Sequence, residues 1–217
     1  MRRLLLPVLV CALLGNCAGS RPPAGPWVMA PLDAQGRPLA PSSVVRFDRP
    51  GLHVEVQALS ASERAAWIRR RFPDTGDPLA GRRDRRRWLT LRLTIAATGD
   101  LPVHLETQSL RLWPDKGRVS TAPLDYTRAF EWLRPDRESG PAASEVRRFM
   151  QGLLDGPVDL APGSRREGLL IFPEPSPEAR RLLLELPFVQ VGSTTHRIRI
   201  PFDKVPVAAP AAAGEQP

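Results

Sequence analysis

The sequence predicts a mainly β fold, an antiparallel β-sandwich with short helices. Several segments between residues 44 and 203 alternate apolar and polar residues with a period of two, which is typical of half-buried strands. Turns rich in Pro, Gly and Asp separate these segments. Three stretches have helical spacing, and each is too short to be stable without packing on a sheet. Seven or so short strands in one chain of this length therefore favour two packed sheets.

The strand signal is clearest at 88–98, where every second residue is apolar: Leu89, Leu91, Leu93 and Ile95. Further strands are predicted at 52–59, 157–160, 168–172, 181–188 and 196–202. In segment 181–188 the apolar phase runs from Leu182 to Phe188, so we expect Phe188 to point inward. The apolar phase of 101–113 changes between Leu105 and Leu110, which predicts a β-bulge near residues 107–109.

The predicted helices begin at recognisable signals. Ser60 with Glu63 three residues later forms a capping box ahead of the first helix. Segments 125–133 and 144–154 place apolar residues at i, i+4 and i+7, and we interpret 125–154 as a helical insertion between two strands. Trp88 and Trp113 flank strands, so both are expected at the edge of the core.

Length and composition indicate one folded domain. The chain has 217 residues with 25 prolines, and its net charge of +8 comes almost entirely from arginine. An arginine- and proline-rich bias is typical of GC-rich genomes, so the charge does not indicate nucleic-acid binding. We assign residues 17–43 to a Pro-rich tether, 44–203 to the sandwich and 204–217 to a disordered Pro/Ala tail.

The N-terminus has the features of an export signal. Arg2 and Arg3 precede an apolar run from Leu4 to Leu14, which is shorter than the roughly 20 residues that span a bilayer. Small residues follow that run. We therefore expect residues 1–16 to be a signal peptide, and the alternative is ordinary secretory cleavage near residues 18–20.

The end of this segment, Leu14-Gly15-Asn16-Cys17, resembles the lipobox of bacterial lipoprotein signals. The resemblance implies lipidation (palmitate among the acyl groups) at Cys17 and a membrane-anchored protein of the cell envelope. Ala18 rather than Asp follows the cysteine, which in that family favours the outer membrane. The second cysteine, Cys11, lies in the leader, so the mature chain would have no internal disulfide.

The strand pattern of residues 88–202 resembles bacterial immunoglobulin-like lipoprotein domains of uncharacterised function. The matching stretches are "LTLRLTIAATGDLPVHLETQSLRLWPDKGR", "LAPGSRREGLLIFP" and "RLLLELPF". The resemblance implies an immunoglobulin-like antiparallel β-sandwich that serves as a binding or scaffolding module.

Two His-x-Glu pairs could each offer a nitrogen and an oxygen ligand to a metal: His53 with Glu55, and His104 with Glu106. In an immunoglobulin-type strand order their strands belong to opposite sheets, so the pairs are not expected to share a site. An envelope metal-binding protein or enzyme that uses one pair remains an alternative.

Arginines are concentrated just before the strand at 88–98. We interpret them as a solvated loop or as a patch for an anionic partner such as an envelope polymer or lipid headgroup: Arg82, Arg83, Arg85, Arg86 and Arg87.

Motifs for nucleophilic catalysis or nucleotide binding do not occur in the sequence. We therefore expect no enzyme activity, no cofactor and no nucleic-acid partner. The expected function is that of an envelope lipoprotein held to the membrane by its lipid anchor, acting as a non-catalytic binding or scaffolding module. A further alternative is a subunit of an envelope assembly.

Overall fold

The structure, a computed structural model, describes residues 27–80, 88–117, 119–133 and 143–206. The strands in these ranges are β1 (Trp27–Pro31), β2 (Val44–Arg49), β3 (Leu52–Leu59), β4 (Trp88–Ala97), β5 (Val103–Leu105), β6 (Arg111–Pro114), β7 (Val158–Leu160), β8 (Arg165–Pro173), β9 (Arg181–Val191) and β10 (Thr194–Pro206). The helices are α1 (Ala61–Arg71), α2 (Tyr126–Leu133) and α3 (Ala143–Gln151), and a 3-10 turn spans Thr107–Ser109.

The strands form two antiparallel sheets. One sheet has four strands in the order β2-β3-β4-β8, and the other has six in the order β1-β10-β9-β5-β7, with β6 also paired to β9. Strands β3, β4 and β8 thus share one sheet while β5, β9 and β10 share the other, which matches the A-B-E and C-F-G division of an immunoglobulin domain. The predicted fold class is confirmed.

The main core lies between the two sheets. Residues of β3 alternate between buried and half-buried along the whole strand, and the inward residues of β4 are also buried. They contact the inward leucines of β9 in one continuous cluster, which includes Leu182, Leu184 and Leu186. Burying a side chain of this size stabilises the fold by about 1.5–3 kcal/mol, so this cluster is the principal reason that the sheets stay together.

The phase change in segment 101–113 is real, but its cause differs from the prediction. A 3-10 turn occupies Thr107–Ser109 instead of a β-bulge, and the Glu106 carboxylate accepts a hydrogen bond from the Gln108 backbone N–H (3.2 Å). Strands β5 and β6, on either side of the turn, both pair with β9. The turn keeps the apolar residues on both sides of it buried, since it realigns the chain between them.

A bulge does occur in β9, where the sequence pattern predicts regular alternation. His196 pairs with Val189 and Ile198 with Leu186, so two residues of β9, Pro187 and Phe188, lie opposite a single residue of β10. The extra residue reverses the phase. The prediction that Phe188 points inward is therefore wrong: its side chain is 60% exposed.

The sandwich extends beyond the predicted limits of 44–203 at both ends. Strand β1 lies within the segment assigned to the tether and pairs with residues 202–206 of β10. Met29 is buried in the main core, and the Lys204 ammonium lies 4.3 Å from the centre of the Trp27 ring. These contacts hold a proline-rich segment as an edge strand, which its composition did not indicate. Residues 1–26 and 207–217 lie outside the described part of the chain.

A helical layer covers the other face of the four-stranded sheet. Helix α1 begins with the predicted capping box, in which the Ser60 side chain accepts from the Glu63 N–H. Helices α2 and α3 occupy the predicted insertion at 125–154. A second core lies between these helices and the outward residues of β8, Leu169 and Ile171. The described residues thus form three layers, with the four-stranded sheet in the middle.

Candidate functional site

The predicted arginine patch, Arg82 to Arg87, lies outside the described residues, and so does Cys17. The described residues before this segment are held to α1 through Asp77. Arg64, almost fully buried, pairs with Asp77 at 2.8 Å (Nη2 to Oδ2) and donates to the Thr90 hydroxyl at 3.2 Å. After the segment, the Trp88 ring packs edge-on against Trp132 with centroids 4.7 Å apart. Both flanks of the arginine segment are therefore held against the helical layer.

The two His-x-Glu pairs lie on opposite sheets, as expected. His53 and Glu55 lie on β3 in the four-stranded sheet, whereas His104 lies on β5 in the six-stranded sheet. Glu106 is the cap of the 3-10 turn rather than a strand neighbour of His104. The pairs cannot act on one ligand.

His53 belongs to a row of paired charges across β2 and β3. Its Nδ1 lies 2.5 Å from Asp48 Oδ1 and its Nε2 lies 3.4 Å from Glu55 Oε1. The hydrogen bond with Asp48 is the largest cause that raises the pKa of His53. The hydrogen bond from Arg46 is the largest cause that lowers the pKa of Glu55. Both ring nitrogens of His53 already contact carboxylates, so the geometry favours an ion-pair role for His53 over metal binding.

His104 lies in a shallow depression at the β5–β7 edge. Its Nδ1 lies 2.7 Å from Asp159 Oδ1, and both side chains are exposed. The depression has a volume of ≈ 390 Å³ and is open to solvent, with Gln190 and Gly192 on its β9 side. Within the described ranges, His, Cys, Asp and Glu side chains form no group of three that could hold a metal ion.

The described residues include a polar cluster that the sequence patterns did not indicate. On the outer face of the six-stranded sheet, Glu185 of β9 is only 6% exposed and accepts hydrogen bonds from three side chains. Arg197 donates from Nε (2.7 Å) and lies 2.6 Å away through Nη2, while Arg199 donates from Nε (2.9 Å). The Trp113 indole N–H of β6 donates to the second carboxylate oxygen at 3.0 Å. Cross-strand register positions these groups, because Arg199 and Arg111 lie directly opposite Glu185.

These hydrogen bonds keep Glu185 ionised. Burial by itself raises the pKa of this carboxyl, but the bonds from Arg199, Arg197 and Trp113 outweigh burial and hold the pKa below its ordinary value. One negative charge is therefore held between two positive ones, and the cluster keeps a net positive charge.

The outward parts of this cluster are open to solvent. The Arg197 and Arg199 side chains are 57% and 54% exposed. Trp113 is 40% exposed, which corrects the expectation that it lies at the edge of the core, whereas Trp88 packs against the second core as expected. Together with Phe188 from the bulge, these side chains form what we call the arginine–aromatic face: Trp113, Leu183, Glu185, Phe188, Arg197 and Arg199.

A sequence signal for this face existed in part. Glu185 is the single acidic residue in the largely apolar segment 181–188, and Arg197 and Arg199 alternate with isoleucines in "HRIRIPF". Which strands pair, and in which register, could not be derived from these patterns. Without the pairing, the three charges could not be placed together.

Within the described ranges, no helix is both long enough and apolar enough to cross a membrane.

Comparisons with known proteins give no family. No protein-family model and no curated protein matches this chain. Among solved structures, a Bacillus subtilis protein described as a "putative lipoprotein (ycdA)" is similar over 74% of this chain, with 12% sequence identity and a TM-score of 0.41. The matched region spans 39% of that protein's length. A functionally unknown protein from Listeria monocytogenes is similar over 83% of this chain and 89% of its own length, with 12% identity and a TM-score of 0.38.

Proposed function

We propose that this protein is a bacterial cell-envelope lipoprotein, anchored through Cys17, whose immunoglobulin-like sandwich acts as a non-catalytic binding or scaffolding module. The proposed membrane is the outer membrane, since Ala18 follows the cysteine. In this proposal the domain recruits or positions a partner close to the membrane and carries out no reaction itself.

The observation that carries the binding role is the unequal covering of the two sheets. The four-stranded sheet is packed on one face by its partner sheet and on the other by the helical layer. Among the described residues, the outer face of the six-stranded sheet has no such layer, and it exposes Trp113, Phe188 and two arginines. Aromatic and arginine side chains are the types that are enriched at protein interfaces.

The anchor follows from the lipobox resemblance and from the energetics of acyl chains. Each buried methylene group contributes about 0.8 kcal/mol, so one chain binds marginally, whereas two hold a protein stably on a membrane. Diacylation or triacylation at Cys17 would therefore suffice without a spanning helix.

A Cys17→Ser variant tests the anchor. We expect the wild-type protein to sediment with outer-membrane vesicles on a density gradient and to show an acyl mass increment on its N-terminal peptide. The variant is expected to lose both properties. A variant that still fractionated with membranes, or a wild-type N-terminal peptide without acyl groups, would contradict the proposed anchor. Cys11→Ser is the matched control and should change neither property.

A further inference from the structure

We propose that the arginine–aromatic face binds a carboxylate-rich segment of a partner protein, with Arg197 and Arg199 pairing with acidic side chains and Trp113 and Phe188 packing on the apolar residues between them. This inference deepens the proposed function and rests on it, because it names the partner class of the binding module.

The two guanidinium groups are held in position on the sheet. The buried Glu185 carboxylate accepts hydrogen bonds from Nε of both arginines, and it also contacts Nη2 of Arg197. These contacts fix both side chains on the sheet while more than half of each stays exposed. A side chain that is already ordered loses less rotamer entropy on binding, which otherwise costs about 0.5–1.5 kcal/mol per residue. Both guanidinium groups are therefore ordered before binding, and each can pair with a second carboxylate.

The charge of the arginine–aromatic face favours an acidic partner. Arg111 and Arg199 lie opposite Glu185 on the two neighbouring strands, and Arg197 is one outward position along β10. The Glu185 carboxylate is paired with two guanidinium groups, while the Arg111 guanidinium bonds the Gln108 and Leu110 carbonyls. The face therefore keeps an excess of positive charge, which favours an anionic partner. A second copy of this chain would place the same arginines against each other in a two-fold pairing, and like charges at an interface are unfavourable.

The exposed rings of Trp113 and Phe188 favour a polypeptide over a simple anion. The bulge at Pro187 and Phe188 turns a Phe ring outward, although regular alternation would have buried it. The Trp113 ring is fixed by its hydrogen bond to Glu185. An inorganic phosphate or a lipid headgroup needs arginine alone, whereas exposed aromatic rings add affinity when they pack on the apolar side chains that a polypeptide supplies.

The test uses purified full-length protein in detergent and a random copolymer of glutamate and tyrosine as the acidic polypeptide probe. Binding is followed through the indole N–H signal of Trp113 in ¹H–¹⁵N spectra, assigned with a Trp113→Phe variant. We expect this signal to shift and the affinity to fall as salt is raised. Since the assay does not depend on membrane attachment, its failure is distinct from the failure of the Cys17 experiment.

Variants locate the binding. The double substitution Arg197→Gln with Arg199→Gln should weaken binding of the copolymer by about tenfold or more. The matched control, Arg147→Gln with Arg148→Gln, removes the same charge from the exposed face of α3 and should leave the affinity within about twofold. Equal losses in the two double variants would overturn the proposal, because they would mean that net charge alone attracts the probe.

The double substitution leaves Glu185 without its arginine partners and could therefore unfold the protein. A second variant tests the binding face without changing those contacts. Phe188→Ser removes an exposed ring and should weaken copolymer binding by several-fold at unchanged melting temperature. Full affinity in this variant would contradict the proposal. So would tighter binding to phosphatidylglycerol vesicles than to the copolymer, or a concentration-dependent dimer that the Arg197/Arg199 double variant abolishes.

Discussion

Glu185 shows how a single buried acid organises a surface. A carboxylate at a nearly buried position is costly unless its oxygens accept hydrogen bonds, and here three side chains from two neighbouring strands donate to it. The same bonds that make its burial acceptable also order Arg197 and Arg199. One residue therefore serves both the stability of the six-stranded sheet and the shape of the proposed binding face.

Replacing Glu185 with Gln should destabilise the protein by about 1.5–3 kcal/mol at neutral pH, because hydrogen bonds to a charged acceptor are lost. The pKa of Glu185 is lowered by folding, so its contribution is present above the ordinary glutamate value of 4.5 and is lost as the pH falls through the folded-state pKa. Urea unfolding at several pH values should show a constant difference between wild type and variant above that value and a shrinking difference below it. A difference that grew on acidification would contradict this account.

At the scale of elements, β8 is where the insertion joins the sandwich. Its inward residues enter the main core and its outward residues enter the second core. The backbone of residues 152–154 pairs with Leu169, through bonds of 2.8 and 2.9 Å, and the Leu124 N–H donates to the Ile171 carbonyl at 2.7 Å. These contacts cover a strand edge that could otherwise pair with another chain.

Gly168 permits this close approach. A Cβ atom at this position would lie 2.7 Å from Leu154 Cγ and 2.9 Å from the Gly152 carbonyl oxygen. Gly168→Ala should therefore destabilise the protein by about 1–3 kcal/mol, measured by thermal or chemical unfolding. Gly76→Ala is the control, because its nearest neighbour would be 3.7 Å away, and it should be close to neutral. Equal stability of the two variants would show that residues 152–154 do not pack closely enough on Gly168 to exclude a methyl group.

At the scale of the whole molecule, the four-stranded sheet is the middle layer, and the other two layers pack on its two faces. The helical layer and the six-stranded sheet do not form a common core, but each packs on an opposite face of β8. We therefore expect the layers to unfold together rather than as separate units.

Phe149→Ala in α3 tests this coupling. The ring is 1% exposed within the second core, so its removal should cost about 3–5 kcal/mol. Circular dichroism, dominated by the sheets, and tryptophan fluorescence should give coincident transitions for both proteins. Phe188→Ala, which removes an exposed ring, should change stability by less than about 0.5 kcal/mol. Two separated transitions in the Phe149 variant would mean that the helical layer unfolds independently.

Much of the sandwich could be predicted because local patterns specify it. Alternation at 52–59 and 88–98 defines which residues face the core, and the capping box at Ser60 defines where α1 begins. The predictions failed where long-range pairing decides the outcome. Strand β1 exists because β10 pairs with it, and the bulge at Phe188 exists because β9 must align with β10 on both sides of Arg197.

The sequence by itself determined the fold class and predicts a lipid anchor, because both inferences use neighbouring residues: periodicity for strands, and a short apolar run ending in Leu14-Gly15-Asn16-Cys17 for the signal. The tertiary structure decided the candidate binding face. Glu185, Arg197 and Trp113 are separated in the chain by as many as 84 residues, and cross-strand register alone brings them within hydrogen-bond distance. The physical reason is that a strand's own pattern specifies which side faces inward but not which strand lies beside it.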